Sequence, residues 1–352
     1  TRLLLNASAN IMAAQGVRID LLLSNGKAAD RALLSAEVNI VELGRARGLR
    51  SVPALVRYIQ RAKPDAVITN KEWANRAIVA ARRFASCPPR LVFRVGTTGS
   101  VALARRPLIK RVLRHWGMVS SYRSADAIIA VSHGVAEDTL SLTGIDANQM
   151  HVIHNPSIPP NLDARAAEPI SHPWLTAKTV PVVLGVGRLV EPKDFPTLIR
   201  AFARLRARRP CRLIILGEGG LRDELEGLAK DLGITADVDL PGYETNPYAF
   251  MARASLFVVS SSREGFSNVL AEALATGTPA VATDCPAGPA EILHGGRYGP
   301  LVPVGDVDAL ANAMEKTLDA PLPAETLREA VRNLQADQIA KIYLDVIEKA
   351  GA

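Results

Sequence analysis

Residues 182–216 read VVLGVGRLVEPKDFPTLIRAFARLRARRPCRLIIL. The stretch opens on a short apolar run, Val182–Val186, and closes on another, Leu213–Leu216. Between them, Phe195–Arg208 repeats apolar residues at helical spacing. Strand, helix and strand in that order pair in parallel through a helical crossover, and repeating the unit builds a doubly wound α/β sheet. The pattern continues outward. Val238–Leu240, Leu256–Ser260 and Ala280–Thr283 read as further strands, with helices over Leu221–Leu232 and Asn268–Thr276. The first half repeats it, with strands expected at Ile19–Leu23, Ala66–Thr69, Leu91–Val95, Ala127–Val131 and Met150–Ile153.

Two such halves agree with the length, since 352 residues suffice for two domains that each bury a core. The division is legible. Residues 155–180 carry five prolines, Pro156, Pro159, Pro160, Pro169 and Pro173, with little periodicity. Proline at that density disfavours helix and central strand alike, so this stretch reads as a linker hinged near Asn155. It separates a first domain over 1–154 from a second over 181–330, and the cleft between them is the default ligand site. Leu3–Ala14 reads as a helix, whereas a doubly wound domain opens on a strand. The first strand and its turn are therefore expected to be missing from the first domain.

Composition narrows the function classes. With 48% hydrophobic and 22% charged residues, the chain is globular rather than disordered. No run approaches the roughly 18 apolar residues of a membrane-spanning helix. Cys87, Cys211 and Cys285 are too few and too scattered for a disulfide framework or a zinc site, which points to the cytoplasm. The net charge of +7 is uneven. Residues 1–160 hold 22 basic and 10 acidic residues, a balance of +12, and the remainder balance at −5. The first half is thus suited to a polyanion, a nucleic acid or a membrane surface.

The chemistry clusters in the second half. Glu264 follows a strand, on the loop at its carboxyl end, and Glu272 lies in the next helix, for which Ser267 is the expected N-cap. Two carboxylates flanking a helix N-terminus can accept bonds from vicinal hydroxyls while the free N–H groups take a phosphate. Gly187-Arg188 with Lys193 closes the strand at 182–186. Arginine and lysine suit a diphosphate, and glycine lets backbone approach it. Gly217-Glu218-Gly219 and Pro241-Gly242-Tyr243 end two further strands. Each of these also fits a plain structural role as a glycine turn or a solvated charge. Neither glycine cluster completes the dinucleotide fingerprint, since Val190 and Arg222 stand where its third glycine belongs.

Metal ligation has weak support. In Asp237-Val-Asp239 both carboxylates are expected on one face of a strand, and Asp306 reads as a helix N-cap with Asp308 in the first turn. The six histidines are scattered, and each reads as structural. Residues 105–123, RRPLIKRVLRHWGMVSSYR, contain six Lys/Arg and no acid. Leu108, Ile109, Val112, Leu113 and Trp116 can form an apolar stripe there. Arg105, Arg106, Lys110, Arg111 and Arg114 then become candidate contacts to an anionic membrane surface, with a core-packed helix as the alternative. Few aromatics are interleaved for base stacking, so nucleic acid is not an expected partner.

Taken in order, Gly187-Arg188 with Lys193, Gly217-Glu218-Gly219, Pro241-Gly242-Tyr243, Glu264-x7-Glu272 and Gly277-Thr278-Pro279 resemble the retaining glycosyltransferases of family four, or group 1, with the GT-B fold. Asp194–Phe202, Gly288-Pro-Ala-Glu291, Ala130-Val-Ser132 and Ile153-His-Asn155-Pro156 are similar to that family too. The resemblance implies two Rossmann-like domains facing a central cleft, with residues 331–352 crossing back onto the first. It implies that Arg188 and Lys193 hold the donor diphosphate and stabilise the leaving group. Glu264 would bind the donor sugar near its anomeric carbon, and Glu272 the ribose hydroxyls. Phe266, Ser267 and Asn268 would offer backbone amides to sugar and phosphate, and the backbone from Leu240 to Tyr243, with Gly242, would meet the base. Gly187, Gly217 and Glu218 complete the implied donor-binding set. No metal or other cofactor is implied. At Arg94-Val-Gly-Thr97-Thr98, where many members carry a histidine, this chain has none.

The resulting expectation is an enzyme on the inner face of the cell membrane. It moves a hexose or N-acetylhexosamine from a nucleotide diphosphate sugar, UDP- in preference to GDP-linked. The acceptor is a glycan or lipid-linked precursor of cell-envelope polysaccharide or lipopolysaccharide. The rivals are a non-catalytic nucleotide-sugar-binding protein, and an epimerase or phosphorylase on the same fold.

Overall fold

The computed structural model describes residues 9–23, 34–44, 46, 48–104, 107–177 and 179–349. The chain forms two compact units. One comprises residues 1–156 with 336–352, and the other residues 157–335.

In the first unit, β1 (Ile19–Leu23) pairs in parallel with β2 (Val38–Glu42). A separate four-stranded parallel sheet runs in the order β3 (Ala66–Thr69), β4 (Arg90–Val95), β5 (Ala127–Ala130) and β6 (Met150–Val152). β2 was not foreseen: its sequence, VNIVE, is half exposed and shows no long apolar run. The expected helix at Leu3–Ala14 is helical over residues 9–14, and residues 1–8 lie outside the described set. Val92, Ala127, Ile129 and Ile153 pack on one side against Met12 and against Ile339, Ala340 and Tyr343 of the helix Ala336–Lys349. Arg94, buried in β4, keys that helix in place. Its Nε donates to Tyr343 Oη at 3.1 Å and its Nη2 to Asn155 Oδ1 at 2.5 Å. Burial keeps the Tyr343 phenol protonated by raising its pKa.

The second unit is built on one six-stranded, all-parallel sheet. Its order is β12 (Leu301–Val302), β11 (Ala280–Thr283), β10 (Leu256–Val259), β7 (Val182–Val186), β8 (Arg212–Leu216) and β9 (Val238–Gly242). Val183, Leu213, Ile215, Val258 and Val281 are buried, as the uninterrupted apolar runs of a sheet covered on both faces require. The helix Phe195–Arg208 sets Leu198, Ile199, Phe202 and Leu205 into that core. β12 was missed because two residues carry no periodicity.

Residues 155–180 are not an irregular linker. They hold two short helices, Leu162–Ala167 and Pro173–Ala177, and from Ser157 onward they belong to the second unit. Proline at a first helical turn loses nothing, because its missing N–H has no partner there, and Pro173 opens its helix in this way. The segment is fastened by placed side chains. Arg165 Nη2 donates to Thr245 O at 2.6 Å, Arg253 Nη1 to Ala166 O at 2.9 Å and Asn246 Nδ2 to Arg165 O at 2.8 Å. The Arg212 guanidinium lies 4.6 Å from the Trp174 ring centroid.

Candidate functional site

The second sheet grows in two directions from β7: to β8 and β9 on one side, and to β10, β11 and β12 on the other. In a parallel sheet that reversal leaves a crevice at the carboxyl ends of the two inner strands. The loop after β7 carries Arg188 and Lys193, and the loop after β10 carries Glu264. The structure therefore joins residues 71 positions apart, and Lys193 Nζ lies 2.6 Å from Glu264 Oε1. The Lys193 stem lies over Gly187, where a β-carbon would press against its methylenes at 3.3 Å. Ser261 Oγ donates to the same Glu264 oxygen at 2.7 Å, and Ser260 Oγ donates to Lys193 O at 2.9 Å. Both ends of the ion pair are thus held by neighbours. Arg188 is exposed on the loop that carries Lys193.

The loops after β7, β8 and β9 are stitched by backbone. Gly187 N donates to Leu216 O at 2.9 Å, Leu189 N to Glu218 O at 2.9 Å, and Gly217 N to Gly242 O at 2.7 Å. Gly217 has φ +145°, and a β-carbon on it would collide with Gly187 O. Only glycine permits that approach. Glu218 turns away to pair with Arg222 at 2.7 Å, which lowers its pKa. Tyr243 is 69% exposed at the end of β9.

The helix Asn268–Ala275 starts from an unusual residue. Ser267 adopts φ +60° and ψ +65°, makes no cap bond, and buries its hydroxyl without a partner among the described residues. The N-cap bond expected of Ser267 is absent, because a capping serine needs an extended backbone to aim its Oγ at the first turn. Phe266 is buried against Gly288, whose φ of +95° and lack of a β-carbon admit the contact. Asn268 Oδ1 accepts from Ser157 Oγ at 3.0 Å.

Glu272 is partly buried one turn further on. Burial raises its pKa to about 7, against the pull of Arg165 and Lys193. Arg165 was not singled out from the sequence, since it lies in the proline-rich stretch. Its guanidinium sits 4.5 Å from the Tyr248 ring centroid, and Tyr248 in turn feels the Glu272 charge. Lys193, Glu264, Glu272 and Arg165 thus form one charge-balanced group, which can present cations to a diphosphate and carboxylates to hydroxyls.

The paired aspartates have other employment. Asp237 precedes β9 in a short turn and pairs with Arg206 at 2.7 Å, whereas Asp239 lies 3.0 Å from His172 Nε2. The expectation of two carboxylates on one strand face is corrected, because the strand begins only at Val238. Asp306 caps the helix Val307–Asp319 by accepting from Ala309 N at 2.9 Å, and Asp308 pairs with Arg204.

In the first unit, the helix Leu108–Tyr122 holds on through its second half, where Met118, Ser121 and Tyr122 are buried. Its first half projects. Leu108, Ile109, Leu113 and Trp116 are 67–77% exposed and Val112 is 51% exposed. Lys110 and Arg111 are exposed as well. Arg114 is corrected: it turns inward to Glu72 at 2.6 Å. Arg105 and Arg106 lie outside the described residues. No described helix is long and apolar enough to cross a membrane.

The family model described as "Glycosyl transferases group 1" matches residues 167–334, and that described as "Glycosyltransferase Family 4" matches residues 7–156. A curated relative, the N-acetylgalactosamine-N,N'-diacetylbacillosaminyl-diphospho-undecaprenol 4-alpha-N-acetylgalactosaminyltransferase of Campylobacter jejuni, is 35% identical over 74% of this chain and 67% of its own. The lipopolysaccharide core biosynthesis glycosyltransferase LpsE of Rhizobium meliloti is 35% identical over 56% of this chain and 55% of its own. The chain thus spans between about half and two thirds of these two relatives. Among solved structures, HepE of Anabaena in complex with UDP-glucose superposes with a TM-score of 0.78 at 21% identity, covering 99% of this chain and 94% of that one.

Proposed function

The chain belongs to the group 1, family four glycosyltransferases and has their GT-B fold, and from that premise we propose that it transfers a sugar from a UDP-sugar to a lipid-linked acceptor in cell-envelope glycan synthesis, releasing UDP. The observation that carries the donor half is the convergence of Lys193, Glu264 and Glu272 at the β7–β10 reversal.

Arg188 and Lys193 hold the diphosphate. As the bond from the anomeric carbon to the diphosphate breaks, negative charge builds on the leaving oxygen, and fixed cations stabilise it without reorganising. That supply of charge makes a metal unnecessary. Glu264 orients the sugar hydroxyls, and the Ser261 hydroxyl keeps it in place. Glu272 accepts from the ribose hydroxyls. The backbone amides after Glu264, at Phe266, Ser267 and Asn268, turn toward sugar and phosphate, and the glycines at 187, 217 and 242 admit the nucleotide to the backbone. The product retains the donor's anomeric configuration. UDP is favoured over GDP because a neighbour of the same fold binds UDP-glucose.

The acceptor half rests on the relatives and on the first unit. One relative acts on a diphospho-undecaprenol-linked sugar and another in lipopolysaccharide core synthesis. Five large apolar side chains displayed beside Lys110 and Arg111 suit an anionic membrane interface. The enzyme accordingly works at the inner face of the cell membrane, where such acceptors are assembled.

A donor screen tests the reading: nucleotide release in the presence of membrane lipid extract, with the product's anomeric configuration read by NMR and the assay repeated in EDTA. Turnover with a UDP-sugar, unaffected by EDTA and abolished by Glu264→Ala or Arg188→Ala, is the expected result. Full turnover in both variants refutes the site. UDP binding with no turnover on any acceptor favours a non-catalytic binding protein instead.

A further inference from the structure

A cavity in the first unit is not used by the donor chemistry. It has a volume of about 450 Å³ and is lined by Leu49, Lys71, Glu72, Trp73, Arg76 and Arg114. Three cations face one carboxylate there. Glu72 is clamped by Arg114 at 2.6 Å and by Arg76 at 3.4 Å, so the clamp leaves Lys71 and a surplus of positive charge. Lys71 is exposed at the cavity edge. Arg76 reaches the site because residue 117 is a glycine: a β-carbon there would overlap its guanidinium. The Arg76 Nε is buried and has no hydrogen-bond partner among the described residues. A donor that has lost its water and gained no acceptor calls for an explanation, and an anion that draws the guanidinium outward supplies one.

The lining also has apolar surface that a simple anion does not need. Leu49 is 66% exposed and Trp73 42% exposed. Arg114 belongs to the same helix that displays Ile109, Leu113 and Trp116 to solvent on its other side. Cations, an aromatic ring and a neighbouring apolar face together describe a ligand with a phosphate head and a hydrocarbon tail.

We propose that this cavity binds the phosphate groups of a membrane-borne, polyprenyl-type amphiphile, through Lys71 and Arg76, with Leu49 and Trp73 against the start of its chain. The proposal rests on the reading of the acceptor as lipid-linked, and it assigns the residues that hold the lipid.

Calorimetric titration of the full chain tests it, with the donor site first filled by UDP. Three probes separate the ligand's parts: farnesyl diphosphate, inorganic diphosphate and farnesol. Farnesyl diphosphate is expected to bind at least tenfold tighter than either of the others. Lys71→Met with Arg76→Met is expected to weaken it at least tenfold while UDP binding and the thermal midpoint stay the same. Should the double variant fail to fold, Lys71→Met alone carries the comparison, since its side chain is exposed. Equal affinity for inorganic diphosphate, or unchanged affinity in the variants, overturns the proposal. UDP binding is read separately, so loss of the lipid site with UDP binding intact leaves the donor reading standing, and failure of UDP to bind the wild type strikes that reading alone.

Discussion

Lys193 and Glu264 neutralise each other across the β7–β10 reversal, with Nζ and Oε1 2.6 Å apart and side chains only 23% and 12% exposed. Each is the other's counter-ion before any donor arrives. Lys193→Met therefore strands a largely buried carboxylate, and it is expected to cost about 2 kcal/mol in denaturant melts. Adding Glu264→Gln should return part of that loss, a non-additivity that a double-mutant cycle reads directly. Either single variant should lower kcat by about 10²–10³ in a nucleotide-release assay, the scale of losing one preorganised group at the developing charge.

Glu272 makes stability depend on pH. Its folded pKa is raised from 4.5 to about 7. Between those values the folded protein keeps a proton that the unfolded chain has released. Stability therefore falls as pH rises from about 4.5 to about 7 and levels off above, by at most about 3 kcal/mol. Glu272→Gln should flatten the curve measured by urea denaturation. If the carboxylate receives the ribose hydroxyls, UDP affinity should weaken as pH falls below about 7, and the glutamine variant should lose that dependence.

Ser267 holds a left-handed backbone that glycine adopts freely and buries a hydroxyl without a partner among the described residues. Ser267→Gly is expected to stabilise the free protein by about 1 kcal/mol in thermal melts, and Ser267→Val to destabilise it by more. A weaker affinity for a UDP-sugar in the glycine variant, with UDP itself unaffected, would assign the hydroxyl to the sugar.

The projecting face of the helix Leu108–Tyr122 allows the proposed membrane binding to be tested apart from folding. Ile109, Leu113 and Trp116 are at least two-thirds exposed, so serine at all three should shift the thermal midpoint little. Flotation with vesicles containing phosphatidylglycerol should nevertheless be lost. Neutralising Lys110 and Arg111 should weaken flotation mainly at low salt, because those charges are screened over roughly 10 Å at 0.1 M. Flotation that ignores both changes refutes the membrane face.

Most of the sheet was legible in the sequence. β7, β8, β10 and β11 announce themselves because strands buried on both faces must be largely apolar, and the edge strand β9 was placed by its short apolar start and its Pro-Gly end. β2 and β12 were hidden because a half-exposed strand and a two-residue strand lack that pressure. Lys193 and Glu264, singled out from their places at strand ends, do come together at the β7–β10 reversal. Arg165 escaped because proline density made its neighbourhood read as irregular, although the helix Leu162–Ala167 is fixed by tertiary hydrogen bonds with no sequence periodicity. Ser267 was read correctly in position but not in its bonding. It does stand at the N-cap position, but its residue type suggests a capping bond that only the backbone angles show to be missing. The apolar stripe at 108–116 was visible, but periodicity is the same for a buried face and an exposed one.

The stitching of Gly187, Gly217 and Gly242 has an evolutionary consequence. If the proposed function holds, the frame that receives the nucleotide is made from main-chain N–H and C=O groups, which each of these loops supplies. Side chains around it can drift, exchanging one sugar preference for another, while the frame keeps its shape so long as those few positions stay without a β-carbon. On that reading, a lineage of enzymes on this scaffold can diversify its products by ordinary point mutation while the backbone frame stays the same.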